Sequence, residues 1–260
     1  MRNRWGYAMR WCIVMGLFLL AYASAQAQVN TERLRPTEPQ GFGGMFGGEL
    51  DVRRGNAALF EATLNARFDY RKDAHLIFWV GTLRYGERRG RTFRNSAFFH
   101  TRYNYDVTSR WTWEAFGQLE RDGFTLLQLR SLIGSGLRIG YMHTPALRIH
   151  QASALMFEYE VLDLTRVARH PVRVRALRWS NYLTLRLRLG EQLALLSVTY
   201  LQPRLEAFRD VRLLHESSFE TRLSPHVAFS TTFTYRYDSD PPDAVLPYDA
   251  ALRTGLRLTW

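Results

Sequence analysis

Residues 227–237, VAFSTTFTYRY, decide the fold class, because apolar and polar side chains alternate along them. Val227, Phe229 and Phe233 share one face, while serine, threonine and arginine side chains occupy the other. Residues 183–189, LTLRLRL, repeat the pattern with leucine at every second position. A period of two residues is that of a β-strand with one apolar and one polar face.

About twelve such segments follow one another along the chain. Their predicted starts are Gly47, Leu59, Leu76, Phe93, Trp111, Leu126, Leu147, Arg173, Leu193, Val211, Val227 and Ala250. Tight turns join them on one side, and longer, charged connections tend to join them on the other, at residues 86–91, 163–171 and 238–247. This asymmetry predicts an all-β fold, a transmembrane antiparallel up-and-down β-barrel. The segments are too long for a soluble β-sandwich, and the Gly-rich first segment leaves a margin of two strands in the count.

The N-terminus has the features of a cleaved secretory signal peptide. Three arginines precede an apolar run at residues 11–23, and small residues at A-x-A spacing follow it. That run is too short to cross the roughly 30 Å apolar layer of a bilayer as a helix. Cleavage after Ala25 and cleavage after Ala27 fit equally well. We predict a signal peptide at residues 1–27, a flexible periplasmic leader at 28–42 and a barrel at 43–260 in a Gram-negative outer membrane.

Aromatic residues predict two girdles at the membrane–water interfaces. With an even number of strands both chain ends lie at the tight turns, and that side collects Phe68, Tyr70, Phe78, Tyr103, Tyr105, Trp111, Trp113, Tyr141 and Trp260. The opposite rim collects Tyr85, Phe157, Tyr159, Trp179, Phe208, Tyr235 and Tyr237. An alternating last strand ending in Trp260 resembles the signal that delivers outer-membrane proteins to the barrel-assembly machinery.

Three stretches in the middle of the chain resemble a known family. They are ARFDY at residues 66–70, TRYNYDVT at 101–108 and GSGLRIGY at 134–141, with a Glu-x-Asp hairpin tip at 120–122. Their order resembles the YdiY-like family of salt-induced outer-membrane proteins, a family of unknown function, over roughly residues 60–260. The resemblance implies an outer-membrane β-barrel and assigns no catalytic residues.

Composition excludes several other functions. The single cysteine, Cys12, lies in the predicted signal peptide, so a disulfide framework and a cysteine zinc site are excluded. The histidines lack metal-ligand spacing, and Asp238, Asp240 and Asp243 are interpreted as a solvated outer loop, so we predict no metal and no cofactor. The formal charge is +11. Because the arginines are spread over the strands of an exported chain, we predict that nucleic acid is not a partner.

The polar strand faces predict what lines the barrel lumen, because lipid-facing positions must be apolar. The lumen-lining candidates are Arg67, Arg102, Glu114, Arg130, Arg138, Arg186, Arg188, Arg212, Glu216, Glu220, Arg222 and Arg236. Two interpretations stay open: acids and arginines pair across the lumen and plug it, or excess arginine lines a narrow passage for small anionic solutes. Twelve strands lie between the filled barrel of about eight and the open channel of about sixteen.

His215 and Ser217 suggest an alternative function, since some outer-membrane barrels are lipid hydrolases whose serine and histidine face the bilayer. A catalytic Ser–His pair needs a third group to orient the base. The flanking faces offer hydroxyls, among them Ser197 and Thr199, and no carboxylate. We therefore predict a structural barrel or a narrow anion-preferring pore and no enzyme.

The predicted partners are those of an outer-membrane barrel: membrane lipid, lipopolysaccharide and, during biogenesis, the barrel-assembly machinery. Lipopolysaccharide phosphates would meet an arginine-rich outer rim. Its members are Arg88, Arg89, Arg91, Arg166 and Arg169.

Overall fold

The computed structural model describes residues 30, 32, 40–55, 58–163, 170–190, 192–224, 226–243 and 245–258. Its twelve strands are β1 (Gly41–Arg53), β2 (Leu59–Lys72), β3 (His75–Arg88), β4 (Arg91–Asp106), β5 (Trp111–Asp122), β6 (Leu127–His143), β7 (Leu147–Leu162), β8 (Arg173–Leu189), β9 (Leu193–Arg204), β10 (Ala207–Ser224), β11 (Val227–Asp238) and β12 (Tyr248–Leu258). Each strand pairs antiparallel with the next, in sequence order from β1 to β12. The predicted all-β, up-and-down arrangement of twelve strands is confirmed. Within the described residues, no helix is long and apolar enough to cross a membrane.

The sheet has two chemically distinct faces, as the alternating sequence predicts. From β3 to β11 the even-numbered side chains share one face, and many of them are buried and charged, such as Arg102, Arg130 and Glu158. Odd-numbered positions carry exposed apolar side chains, of which Ile133 and Leu155 are typical. The two faces of the sheet therefore differ sharply, one carrying buried charged side chains and the other exposed apolar ones.

The sheet is strongly curled. This follows from contacts between side chains on its polar face that lie several strands apart. The Tyr182 hydroxyl on β8 donates to Glu114 on β5, at 2.8 Å. Arg212 on β10 donates to Glu158 on β7, also three strands away, at 2.7 Å. Such contacts require that the polar face is concave and that the apolar face is convex.

The strand connections differ at the two ends of the sheet. At the short-turn end two to four residues join each pair, for example 73–74 and 107–110. At the other end, the long-loop end, residues 163–172 and 239–247 form the longest connections. The predicted long connection at residues 86–91 is wrong. Only Arg89 and Gly90 separate β3 from β4, and their φ angles of 50° and 74° make the tight hairpin turn that suits twisted strands.

Most of the predicted girdle residues lie on the convex face, but Phe78 does not. Trp111 and Tyr141 are exposed near the short-turn end, and Trp179 and Phe208 are exposed toward the long-loop end. Phe78 is fully buried on the concave face, in a cluster with Leu76, Val80 and Phe98. Its predicted place in the girdle is wrong, because both faces of β3 are apolar and alternation alone cannot tell them apart.

The N-terminal boundaries also differ slightly from the prediction. The predicted barrel starts at residue 43, whereas β1 starts at Gly41. Two residues of the predicted leader, Asn30 and Glu32, are buried against the concave face. The predicted signal peptide and Trp260 lie outside the described residues.

Candidate functional site

The concave face gathers most of the predicted lumen-lining residues. Arg102, Glu114, Arg130 and Arg212 are buried there, in agreement with their even-numbered positions on β4, β5, β6 and β10. The remaining candidates are half-buried or exposed: Arg67, Arg138, Arg186, Glu216 and Arg236 are half-buried, and Arg188, Glu220 and Arg222 are exposed. The buried candidates form two clusters at different depths.

The first cluster, here the outer cluster, lies in the half of the sheet toward the long-loop end. Its centre is Arg212, whose Nη1 donates to both carboxylate oxygens of Glu158 at 2.7 Å. Its Nη2 donates to Glu160 and its Nε to Asp238, each at 2.8 Å. One guanidinium therefore ties together β7, β10 and β11.

Two further arginines complete the outer cluster. Arg130 on β6 donates to Glu160 at 2.9 Å and to Glu120 at 3.4 Å. Arg178 on β8 lies 3.3 Å from Glu158 and 3.0 Å from Asp210. The members of the outer cluster are Arg130, Arg178, Arg212, Glu120, Glu158, Glu160, Asp210 and Asp238. Arg204 also lies 3.7 Å from Asp210, so four arginines face five carboxylates and the formal charge is 4 − 5 = −1, which does not suit an arginine-lined path for anions at this depth.

Several outer-cluster members were not among the sequence-derived candidates. Arg178, Glu158 and Glu160 are as deeply buried as Arg130. The sequence does indicate that Glu158 and Glu160 lie on the polar face, because they alternate with Phe157 and Tyr159 along β7. Their mutual pairing has no local signal, since it depends on how far the sheet curls.

The second cluster, here the inner cluster, lies closer to the short-turn end. Arg102 donates to Glu32 at 2.8 Å and lies 3.5 Å from Glu114, which also accepts from Tyr182. The Glu32 backbone N–H donates to the Tyr200 hydroxyl at 3.2 Å. Glu32 is thus a carboxylate from outside the sheet that is held by groups on β4 and β9. Arg138 on β6 adds a longer contact to it, at 3.5 Å.

Little open space remains between the two clusters. A cavity of ≈ 50 Å³ lies there, lined by residues of both clusters and by Phe116, Met156 and Tyr200. That volume holds only a few water molecules. A much larger cavity of ≈ 780 Å³, here the vestibule, opens at the short-turn end and has Glu32 and Arg138 in its wall. The concave face is therefore wide at the short-turn end and narrow between the two clusters.

His215 and Ser217 lie on the convex face, hydrogen-bonded to each other. Ser217 Oγ is 2.9 Å from His215 Nε2. His215 Nδ1 is 2.9 Å from the Thr199 hydroxyl, and Ser217 Oγ donates to Ser197 at 3.1 Å. The group that contacts His215 on the side away from Ser217 is the neutral hydroxyl of Thr199, as the flanking sequence predicts.

Among the described residues, no group of three or more histidine, cysteine or acidic side chains could hold a metal ion. The loop acids instead face the neighbouring loop: Asp243 accepts from the His170 backbone N–H at 2.9 Å, and Asp240 lies 3.7 Å from the His170 ring. Arg88, Arg89 and Arg91 are exposed at the long-loop end. Arg166 and Arg169 lie outside the described residues.

Comparisons with known proteins give a family and likenesses to solved structures. No curated protein matches the chain. A solved structure, "NanC porin structure in rhombohedral crystal form", resembles it with a TM-score of 0.45 and 11% sequence identity, covering 84% of this chain and 99% of that one. A likeness at this level decides neither fold nor function. The family profile described as "Protein of unknown function, DUF481" matches residues 47–260. Because this match spans most of the sequence, the chain belongs to the DUF481 family of proteins of unknown function.

Proposed function

We propose that the chain is an outer-membrane β-barrel whose lumen is occluded, and that β1 and β12, which make no contact with each other in the described sheet, close against one another in the membrane. Strands of 11 to 18 residues are long enough to cross a bilayer at a tilt. The exposed apolar convex face suits lipid, and the charged concave face suits a barrel interior. Closure would also satisfy the free backbone edges of β1 and β12, which lipid does not tolerate. We further propose that the chain groups with the YdiY-like members of its family.

The proposal that the lumen is occluded rests on the way in which Arg212 is hydrogen-bonded. Its guanidinium is bound on three sides by Glu158, Glu160 and Asp238. A buried charge is stable only when it is paired and its remaining hydrogen-bond capacity is satisfied, and this arrangement meets both conditions. These pairs fix charged side chains across the concave face, so we propose that the barrel is structural and has no steadily open path.

The proposed orientation gives the two ends different partners. The short turns lie in the periplasm and the long loops face outward. The exposed Arg88, Arg89 and Arg91 then lie at the outer rim, where phosphate groups of lipopolysaccharide would form charge-assisted hydrogen bonds with them. The terminal Trp260 would serve as the assembly signal during insertion.

Single-channel recording tests the occlusion. The protein, purified from membranes in detergent and reconstituted in a planar bilayer, should show no stable open level in concentrated KCl. Replacing both Arg178 and Arg212 with alanine should produce discrete conductance steps, because the centre of the outer cluster is removed. Arg175→Ala is the matched control, since this exposed arginine on β8 packs over Tyr159 instead of lining the interior. Steady conductance by the parent protein would overturn the proposal.

Hydrolysis of lipid esters is a second candidate, favoured by the 2.9 Å contact between Ser217 and His215. Two features weigh against it. The third group, Thr199, carries no charge to stabilise a protonated imidazole. β10 pairs with both β9 and β11 around Ser217, so its backbone N–H groups are engaged in the sheet and unavailable as an oxyanion hole. We propose that the pair is structural and that the chain is not an enzyme.

A fluorogenic phospholipid ester in mixed micelles tests this second candidate. We expect the parent and Ser217→Ala to release fluorophore at the same background rate. Release by the parent that disappears in both Ser217→Ala and His215→Ala would establish hydrolysis. Thr231→Ala, at an outward position on the neighbouring β11, is the control for unspecific effects of removing a hydroxyl from this face.

A further inference from the structure

The vestibule at the short-turn end carries more positive charge than its own acids neutralise. Its lining contains five arginines and three carboxylates, so its formal charge is 5 − 3 = +2. Arg71 is 3.5 Å from Asp106, and Arg138 is 3.5 Å from Glu32. The third carboxylate of the lining belongs to Asp73 in the β2–β3 turn, where the Asp73 backbone N–H donates to the side-chain oxygen of Gln40.

The remaining three arginines are Arg110, Arg148 and Arg186. Within the part of the chain that the structure describes, no carboxylate lies within ion-pair distance of their guanidinium groups. Arg148 on β7 and Arg186 on β8 are direct cross-strand partners on the same face. Like charges placed directly opposite each other destabilise a sheet. The pair is thus an unfavourable arrangement in itself, and the charge of the nearby Glu32 offsets only part of the repulsion at Arg186.

The adjoining inner cluster indicates that arginines on the concave face can bind a carboxylate. The Glu32 carboxylate does not belong to any strand, yet it is buried between Arg102 and Arg138. A carboxylate carried into the concave face is therefore stabilised by arginines when they hold it from two sides. Arg148 and Arg186 offer a second such pair in the wall of the same vestibule, where solvent reaches them.

We propose that Arg148 and Arg186 form a binding site for a small soluble polycarboxylate, with Arg110 assisting. The arginine fork fits a carboxylate with two parallel hydrogen bonds. The vestibule, at ≈ 780 Å³, has room for a solute of several carbon atoms and its water. Because the site faces the concave side, a bilayer lipid does not reach it. The proposal rests on the proposed function only for the compartment, the periplasm, to which the vestibule opens.

Citrate titration followed by calorimetry tests the site on the protein in a neutral detergent at low ionic strength. We expect measurable binding by the parent, and binding about tenfold weaker for Arg148→Gln and for Arg186→Gln, since each loses one charge-assisted carboxylate contact. Arg175→Gln, on the same strand as Arg186 but exposed at its other end, should bind as the parent does. Folding of each variant is checked by its heat-dependent gel mobility.

A second variant changes the affinity in the opposite direction. Glu32→Gln removes one negative charge from the vestibule wall and frees Arg138, so citrate should bind several-fold more tightly. Absence of citrate binding by the folded parent would overturn the proposal, and so would equal binding by the parent and both arginine variants. These outcomes are independent of conductance, because a vestibule closed at its inner end can bind a solute without passing it.

Discussion

Replacing Arg212 with alanine tests whether the outer cluster holds the sheet together. The substitution removes four short hydrogen bonds to three carboxylates, Glu158, Glu160 and Asp238. Breaking a buried ion pair by removing one partner costs about 3–5 kcal/mol, because the other charge stays buried without compensation. Glu158 and Glu160 keep Arg178 and Arg130 as partners. We therefore expect the lower end of that range, a loss of about 3 kcal/mol in the free energy of unfolding.

Urea unfolding in lipid vesicles, followed by tryptophan fluorescence, measures this loss. The matched control is Arg175→Ala, which removes the same side chain from an exposed position and should change the unfolding free energy by less than about 0.5 kcal/mol. If Arg212→Ala and Arg175→Ala unfold at the same urea concentration, the outer cluster does not stabilise the fold and the reasoning fails.

Three further substitutions test local geometry by the same unfolding measurement. Gly136→Ala should cost about 1–3 kcal/mol, because its Cβ would collide with the Ser153 carbonyl oxygen. Gly81→Ala is the control, because its Cβ would meet nothing nearer than 4.0 Å. Equal stability of the two variants would contradict the close pairing of β6 with β7. Gly90→Ala should cost about 1 kcal/mol, because its φ of 74° is left-handed, and an unchanged midpoint would show that the turn adopts another form. Tyr182→Phe should cost about 1–3 kcal/mol, because the buried Glu114 loses its hydroxyl donor, whereas a neutral result would mean that this contact across the sheet is not formed.

The sequence predicts the strands well because their chemistry is local. Alternation locates all twelve strands, and it assigns Arg102, Arg130 and Arg212 to the concave face. The same rule fails for Phe78, because β3 carries apolar residues on both faces. It also fails at residues 86–91, where charged residues continue the strands instead of forming a loop.

The contacts that define the site depend on curvature, which no local pattern encodes. The pairing of Arg212 with Glu158 joins strands three apart, so it follows from how far the sheet curls. The burial of Glu32 against Arg102 joins residues seventy positions apart in the sequence. The Ser217–His215 contact is different, since a spacing of two residues on one strand face already brings such side chains together.

Disulfide cross-linking between β1 and β12 in isolated outer membranes tests the central claim most directly. Phe46→Cys, at an exposed position on β1, is combined in turn with cysteine substitutions of Ala250, Leu252, Thr254 and Leu256 along one face of β12. The natural cysteine, Cys12, lies in the predicted signal peptide. A closed barrel predicts that one pairing, or two adjacent ones, forms an intramolecular disulfide in the outer-membrane fraction. Absence of cross-linking in every pairing, or a chain absent from that fraction, would contradict the account.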